Sequence, residues 1–234
     1  MPNFKTFQKS LLSLDNDILK IENLFSEFTQ NLMNNYSLNI DNKLYEFTEL
    51  EYYYSNDNHH KDPYVHTDEK QKNEKSLYVH RMPWGRGGID LTFGDGRFFG
   101  GILIRGIKDT EGFVSGPVKC KQSIVNSIEE NIAEKHNELQ EYFEKGTWSL
   151  VEKDKTDHDV FHSTRVGLTA KDDNYQDAFY RFIREDYLNN SKFTEKTRVK
   201  AICHFTMGYQ TGVKSAINKI KNSKLMDKIN LNSK

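Results

Sequence analysis

Only two cysteines occur in 234 residues, Cys120 and Cys203, and their spacing suggests neither a zinc site nor a disulfide framework. A reducing, cytoplasmic setting is the expectation that follows. No run of about 18 apolar residues exists, which excludes a membrane-spanning helix. The opening Met1-Pro2-Asn3-Phe4-Lys5 has no secretory apolar core and no cleavage site. Arginine is missing from residues 1–80, which are acidic on balance. The net charge of -1 announces no overall basic face of the kind phosphate binding usually needs. Neither HExxH nor a facial triad is visible, and no internal repeat or long linker divides the chain.

What is present is aromatic and charged. Aromatic residues make up 12% of the chain and charged ones 29%, with a mean hydropathy of -0.79. That combination suits an ample core under a strongly polar surface. The length suits one well-packed domain with helical additions at its ends. Basic charge is concentrated rather than absent. Arg81, Arg86, Arg97 and Arg105 fall within 25 residues, and arginine is the fork-shaped, always-charged residue used on phosphates. Residues 195–234 carry nine lysines and arginines against Glu195 and Asp227. They read as a basic helix packing through Val213, Ile217, Ile220 and Leu225, its other face solvated or in contact with a partner.

The chain is organised around Thr48-Glu49-Leu50-Glu51-Tyr52-Tyr53-Tyr54, which reads as a strand following a turn at Asp41-Asn42. A two-residue period puts Glu49, Glu51 and Tyr53 on one face and Leu50, Tyr52 and Tyr54 on the other. A carboxylate two residues from an aromatic suits a pocket gripping a flat ring. The plainer alternative is an edge strand with its acids in water. Residues 4–35 read as a helix capped by Asp15 or Asp17, its stripe formed by Ile18, Ile21, Phe25, Phe28 and Leu32.

Residues 76–81 and 89–93 read as strands around the turn-rich Met82-Pro83-Trp84-Gly85-Arg86-Gly87-Gly88. Gly94-Asp95-Gly96 is a hairpin signal leading into the apolar strand 98–107. Arg105, ending that buried run, needs a carboxylate, and Glu51 is the evident candidate. A loop over 112–119, a charged peripheral helix over 122–144, a strand-like Arg165-Val166-Gly167-Leu168 and a last core strand over 179–184 complete the pattern. The fold expected is α+β, a curved and mostly antiparallel sheet flanked by helices with N- and C-terminal helical extensions. Its segments are a helical 1–40, a core of 41–194 and the basic helix 195–234, all in one compact domain.

Two histidine and aspartate groups stand out. His59, His60, Asp62, His66 and Asp68 are dense enough for a metal but match no standard spacing, so a solvated loop with one or two functional side chains is the reading here. Asp157, His158, Asp159 and His162 read as surface residues.

Several segments then align in order with one family. Glu49-Leu50-Glu51-Tyr52-Tyr53, Asp62-Pro63-Tyr64-Val65-His66, Tyr78-Val79-His80, Asp90, Ile102-Leu103-Ile104-Arg105-Gly106, Gly116-Pro117-Val118-Lys119-Cys120, Arg165-Val166-Gly167 and Tyr180-Arg181-Phe182-Ile183 resemble, at a distance, the alkyladenine (3-methyladenine) DNA glycosylases over roughly residues 44–190. The resemblance implies that a damaged base is flipped out of the duplex into an aromatic pocket and released by a glutamate-activated water. Glu51 would be the general base, with Arg105 holding the water or tuning Glu51. Tyr53 and His66 would sandwich the base, with His80 across from them and Asp90 at its edge. Arg81, Trp84, Arg86 and Lys119 would contact DNA, with Trp84 as the wedge.

His80 and Asp90 depart from the family, which has tyrosine and asparagine there. An anionic Asp90 only accepts hydrogen bonds, so it would welcome an amino donor or a cationic base; the plainer alternative is that it pairs with Arg105 or His80. The expected partner is double-stranded DNA with a modified base, or a nucleotide-like ligand, bound by a monomer away from membranes with neither cofactor nor metal. A catalytically silent relative that binds a nucleobase as a sensor is the alternative. A metal-dependent hydrolase built on the two histidine groups is a third reading.

Overall fold

A computed structural model describes residues 1–80, 87–128, 136–169 and 172–193. Two helices come first, α1 (Phe4–Ser13) and α2 (Ile18–Asn35). The single helix expected over 4–35 is thus divided, because Leu14 turns extended and Asp17 starts a new helix by accepting from Lys20 N–H at 3.2 Å. Asn16, in the break, is used elsewhere: its side-chain oxygen accepts from His60 Nδ1 at 2.9 Å.

The sheet begins inside the segment expected to be wholly helical, with β1 (Tyr36–Ile40). A two-residue turn at Asp41 (φ 46°) and Asn42 (φ 63°) joins it to β2 (Lys43–Asn56). Both residues sit in the left-handed region that primed hairpin turns require, which short polar side chains tolerate. There follow β3 (His60–Lys61), a 3-10 turn (Glu69–Lys72), β4 (Glu74–Val79), β5 (Ile89–Phe93), β6 (Phe99–Asp109) and β7 (Gly112–Ser115). Next come α3 (Pro117–Val125), α4 (His136–Glu144), β8 (Trp148–Glu152), β9 (Val160–Ser163), α5 (Asp173–Gln176), β10 (Arg181–Arg184) and α6 (Glu185–Leu188).

All the strand pairings among the described residues are antiparallel and form one curled sheet ordered β4-β5-β6-β2-β1-β8. The β2 strand is its axis. Along one edge it pairs with β6 almost throughout, and along the other with β1, then β10, then β3. The fold class is therefore α+β in a single domain.

One face of β2 makes the core. Leu50, Tyr52 and Tyr54 are fully buried, and Phe25 of α2 stacks on Tyr52 at 4.3 Å between ring centres. Offset stacking adds about 0.5–1.5 kcal/mol to the area each ring buries. Thr29 donates to the Tyr52 hydroxyl at 2.7 Å, and the Tyr54 hydroxyl lies 3.2 Å from His59 Nε2, so both phenols in this layer are satisfied.

Four further expectations change. The presumed loop over 112–119 holds β7 and the start of α3, with Pro117 at the first helical position. The expected helix 122–144 resolves into the end of α3 and, separately, α4. Residues 165–168 form no strand; the strand is β9, just before them. His162, expected at the surface, is buried in β9 against Phe182, with Ser26 Oγ 2.8 Å from its Nε2. Burial alone pushes its pKa down to about 4. Residues 195–234 and Cys203 lie outside the described residues. No helix among the described residues is long and apolar enough to cross a membrane.

Candidate functional site

Strand register builds the site. Tyr78 of β4, Asp90 of β5, Leu103 of β6, Glu51 of β2 and Arg181 of β10 are successive cross-strand partners. Residues directly opposite in adjacent strands project from the same face, so one rung carries two acids, a guanidinium and two apolar groups on the side away from the Leu50–Tyr54 core. The next rung places Tyr53 opposite Gly101 and Gly101 opposite Thr92.

On this face lies a cavity of about 210 Å³ lined by Tyr53, His66, His80, Asp90, Leu103 and Arg105, with Val166 on the adjoining loop. The volume falls below the roughly 300–1,000 Å³ of pockets for drug-sized ligands, which suits one ring system rather than a whole nucleotide. A larger hollow of about 420 Å³ lies between β4 and β8, walled by Leu77, Phe143 and Trp148. Its charged side chains, Lys75 and Glu144, are exposed to solvent, so volume does not identify the site.

Glu51 stands directly behind the smaller cavity and is fully buried. Its Oε1 accepts the Val166 N–H at 2.8 Å and its Oε2 the Tyr53 hydroxyl at 3.0 Å. Arg105 Nε is 3.3 Å from Oε1 and Arg181 Nε 3.8 Å. Three of these four holders are Tyr53, Arg105 and Val166, the walls of the cavity itself. Glu49, for which water was the plainer alternative, is buried too, and accepts from Arg105 Nε at 2.9 Å and Arg181 Nε at 2.8 Å. Burial opposes the charge on Arg105, but Glu51 and then Glu49 outweigh it and hold its pKa above the ordinary value. Burial, then the Glu51 charge, drives the Tyr53 phenol well above its ordinary pKa, so it remains a donor to Glu51.

At the far end of the rung His80 Nε2 lies 2.6 Å from Asp90 Oδ1, and Gln71 Nε2 donates to Asp90 Oδ2 at 3.0 Å. Asp90 is fully buried. Each of its oxygens thus has one partner from the protein, the pairing with His80 being the plainer of the expected arrangements, and Asp90 still lines the cavity. Gly101 makes the arrangement possible, since a Cβ there would stand 2.4 Å from Asp90 Oδ2 and 2.9 Å from Gln71 Nε2. His66, exposed at the rim, meets His80 edge to face at 4.6 Å. No ring fits between those two, so the room for a flat ligand lies between them and Tyr53.

Sequence reasoning missed the group that anchors the cavity's loops. Arg165 is fully buried and donates through Nη1 to Asp62 at 2.6 Å and to Tyr52 O at 3.2 Å, and through Nη2 to Tyr175 O at 2.8 Å. Its guanidinium also lies 4.8 Å from the Tyr53 ring centre. It thereby ties the 62–66 loop and the 165–168 loop to β2. Burial raises the Asp62 pKa, and Arg165 works against that rise. The only signal was an arginine next to Val166-Gly167, with no means of naming its partner more than a hundred positions earlier.

Of the other candidates, Lys119 is exposed in the first turn of α3. Arg81, Trp84 and Arg86 lie outside the described residues. Among the described residues no group of three or more His, Cys, Asp or Glu side chains is placed to hold a metal. His60 is instead stacked on Tyr54 at 4.8 Å, and burial first, then the Arg165 charge, lowers its pKa to about 3.

No protein-family model matches the chain. It is similar to uncharacterized protein L759 of Acanthamoeba polyphaga mimivirus, with 26% identity over 193 residues, covering 69% of this chain and 86% of that one.

Proposed function

We propose that the chain is a DNA glycosylase-like hydrolase that takes one modified base into the slot between Tyr53 and the His66–His80 pair. Water activated by Glu51 would then cut the base from its sugar. The observation that carries this reading is a buried glutamate, ion-paired with Arg105, immediately behind a cavity of one-ring size lined by aromatic and imidazole rings. A positioned base of this kind contributes about 10²–10⁴-fold. An anion behind the sugar also stabilises the positive charge that develops there as the bond breaks. A nucleic-acid substrate and the unpaired, buried thiol of Cys120 fit a cytoplasmic setting.

The test is release of the base, read as abasic sites formed in a panel of duplexes that each carry one modified base. Glu51→Gln is expected to abolish release while retaining duplex binding that weakens with salt. Activity untouched by that change removes Glu51 from the catalytic role.

One observation favours a second reading, a nucleobase-binding module without catalysis. Glu51 has no exposed surface, because Tyr53, Arg105 and Val166 already occupy its oxygens. Catalysis requires the incoming base to open that cage; binding alone does not. Saturable binding of a modified base with no release from any duplex would select the second reading.

A further inference from the structure

We propose that the hollow of about 420 Å³ between β4 and β8 binds a small hydrocarbon carboxylate, of the medium-chain fatty acid class, with its head on Lys75 and its chain in the apolar interior. This site stands apart from the glycosylase reading and does not need it. The hollow exists because the sheet curls. β4 and β8 end the strand order at its two sides and do not pair with each other. A gap is left between them, bounded by Phe143 near the end of α4 and by the turn at Gly146. Its volume falls within the roughly 300–1,000 Å³ of small-molecule pockets.

The lining selects the occupant. Its buried side chains, Leu77, Phe143 and Leu150, are hydrocarbon, and Trp148 stands half-buried beside them. A heterocycle or a sugar would leave polar atoms unpaired against such walls, so the body of the ligand is apolar. An added peptide strand does not fit, because the free edge of β4 is already taken. Gln140 of α4 accepts from the Val79 N–H at 2.9 Å and donates to Leu77 O at 3.0 Å, and strand addition needs such backbone groups open.

The rim selects the head group. Glu144 is matched by Lys70 and by Gln140, and the Met1 ammonium by Glu152 at 2.9 Å. Among the described residues Lys75 has no carboxylate partner; its Nζ lies 5.7 Å from the centre of the Phe4 ring. Lys75 also has φ 52°, at the register shift between Glu74 and Leu77. A lysine in the left-handed region is strained and persists there only where its surroundings hold it. Such a shift takes one side chain out of the alternation of its strand, and this one brings the ammonium to the rim of the hollow. A carboxylate at the mouth supplies the missing anion.

The experiment titrates the full chain with hexanoate, octanoate, decanoate and the uncharged decanol, by calorimetry, below the concentrations at which they aggregate. Each methylene withdrawn from water is worth about fourfold in affinity. Binding is therefore expected to tighten by up to that factor per carbon until the hollow is full, at one ligand per chain. Lys75→Met keeps an unbranched stem and removes the charge. It is expected to weaken decanoate by about two- to fivefold and to leave decanol unchanged. Salt added to the unaltered protein should discriminate in the same way, a readout that does not depend on the variant folding. With Trp84→Phe, which leaves Trp148 as the one tryptophan, decanoate should shift the emission maximum. No saturable binding of decanoate, equal losses for decanoate and decanol, or an unmoved Trp148 emission overturns the proposal. Base release enters none of these readouts, so the glycosylase reading stands or falls separately.

Discussion

Arg105 stands nearer to Glu49 than to Glu51, with its Nε 2.9 Å from the first carboxylate and 3.3 Å from the second. Arg181 closes the same pair from the other side. Two acids and two guanidiniums thus share charge within one buried cluster, and Glu49 lies at its centre although it does not line the cavity.

Removing Glu49 leaves two buried guanidiniums facing a single carboxylate. Glu49→Ala is expected to cost about 3–5 kcal/mol, read from urea denaturation. Adding Arg181→Ala should recover part of that loss, with a coupling of about 0.5–3 kcal/mol. Strictly additive losses would show that the four side chains do not act together.

Gly101→Ala places a methyl group against Asp90 Oδ2 and Gln71 Nε2. Overpacking of this sort costs about 1–3 kcal/mol, and here the carboxylate is the group that must move. The expected readout is a displaced His80 imidazole resonance at fixed pH, followed by NMR, in a protein that still unfolds cooperatively. An unmoved resonance would mean that Asp90 does not depend on the missing Cβ.

Glu22 is buried in α2, where it accepts the Phe179 N–H at 2.6 Å, and burial pushes its pKa from 4.5 up to about 7. The folded state holds this proton more tightly than the unfolded chain. Stability is therefore full below pH 4.5, declines from there to pH 7 and stays lower above it, by about 3 kcal/mol. Glu22→Gln retains an acceptor for Phe179 and removes the charge. Its melting temperature should exceed that of the unaltered protein at pH 8 and match it at pH 4.5, as scanning calorimetry would show.

His162 carries the opposite sign. Burial lowers its pKa from 6.5 to about 4, so its contribution is complete above pH 6.5 and is lost as pH falls towards 4, again by about 3 kcal/mol. His162→Phe gives up the contact with Ser26 but removes this acid sensitivity. Unfolding curves at pH 7 and pH 4.5 should lie closer together for the variant than for the unaltered protein. A separation as wide as before would assign the acid sensitivity elsewhere.

The sequence alone was enough to divide β2 into a core face and a site face. Leu50, Tyr52 and Tyr54 alternate with Glu49, Glu51 and Tyr53, and a two-residue period holds for any strand with one side packed. It also located β5 and the hairpin after it, and it marked Glu51, Tyr53, His66, His80, Asp90 and Arg105 as candidates for one site. Local chemistry carries such signals because a turn or a strand face is decided within a few residues.

Pairing is decided over long separations, and there the sequence pointed to the Arg105–Glu51 pair but to none of its neighbours. The register shifts between Phe47 and Glu49 and again between Glu49 and Leu50, so that Thr48 on β2 and Arg105 on β6 have no direct cross-strand partner. Bulges of this kind re-aim side chains, and this one presents Arg105 to both carboxylates. The link from Arg165 to Asp62 and the pairing of Arg181 with Glu49 likewise join residues more than a hundred positions apart. Which charges are buried, and which neighbour neutralises each, depends on how far one strand slides past another, and only the assembled sheet sets that distance.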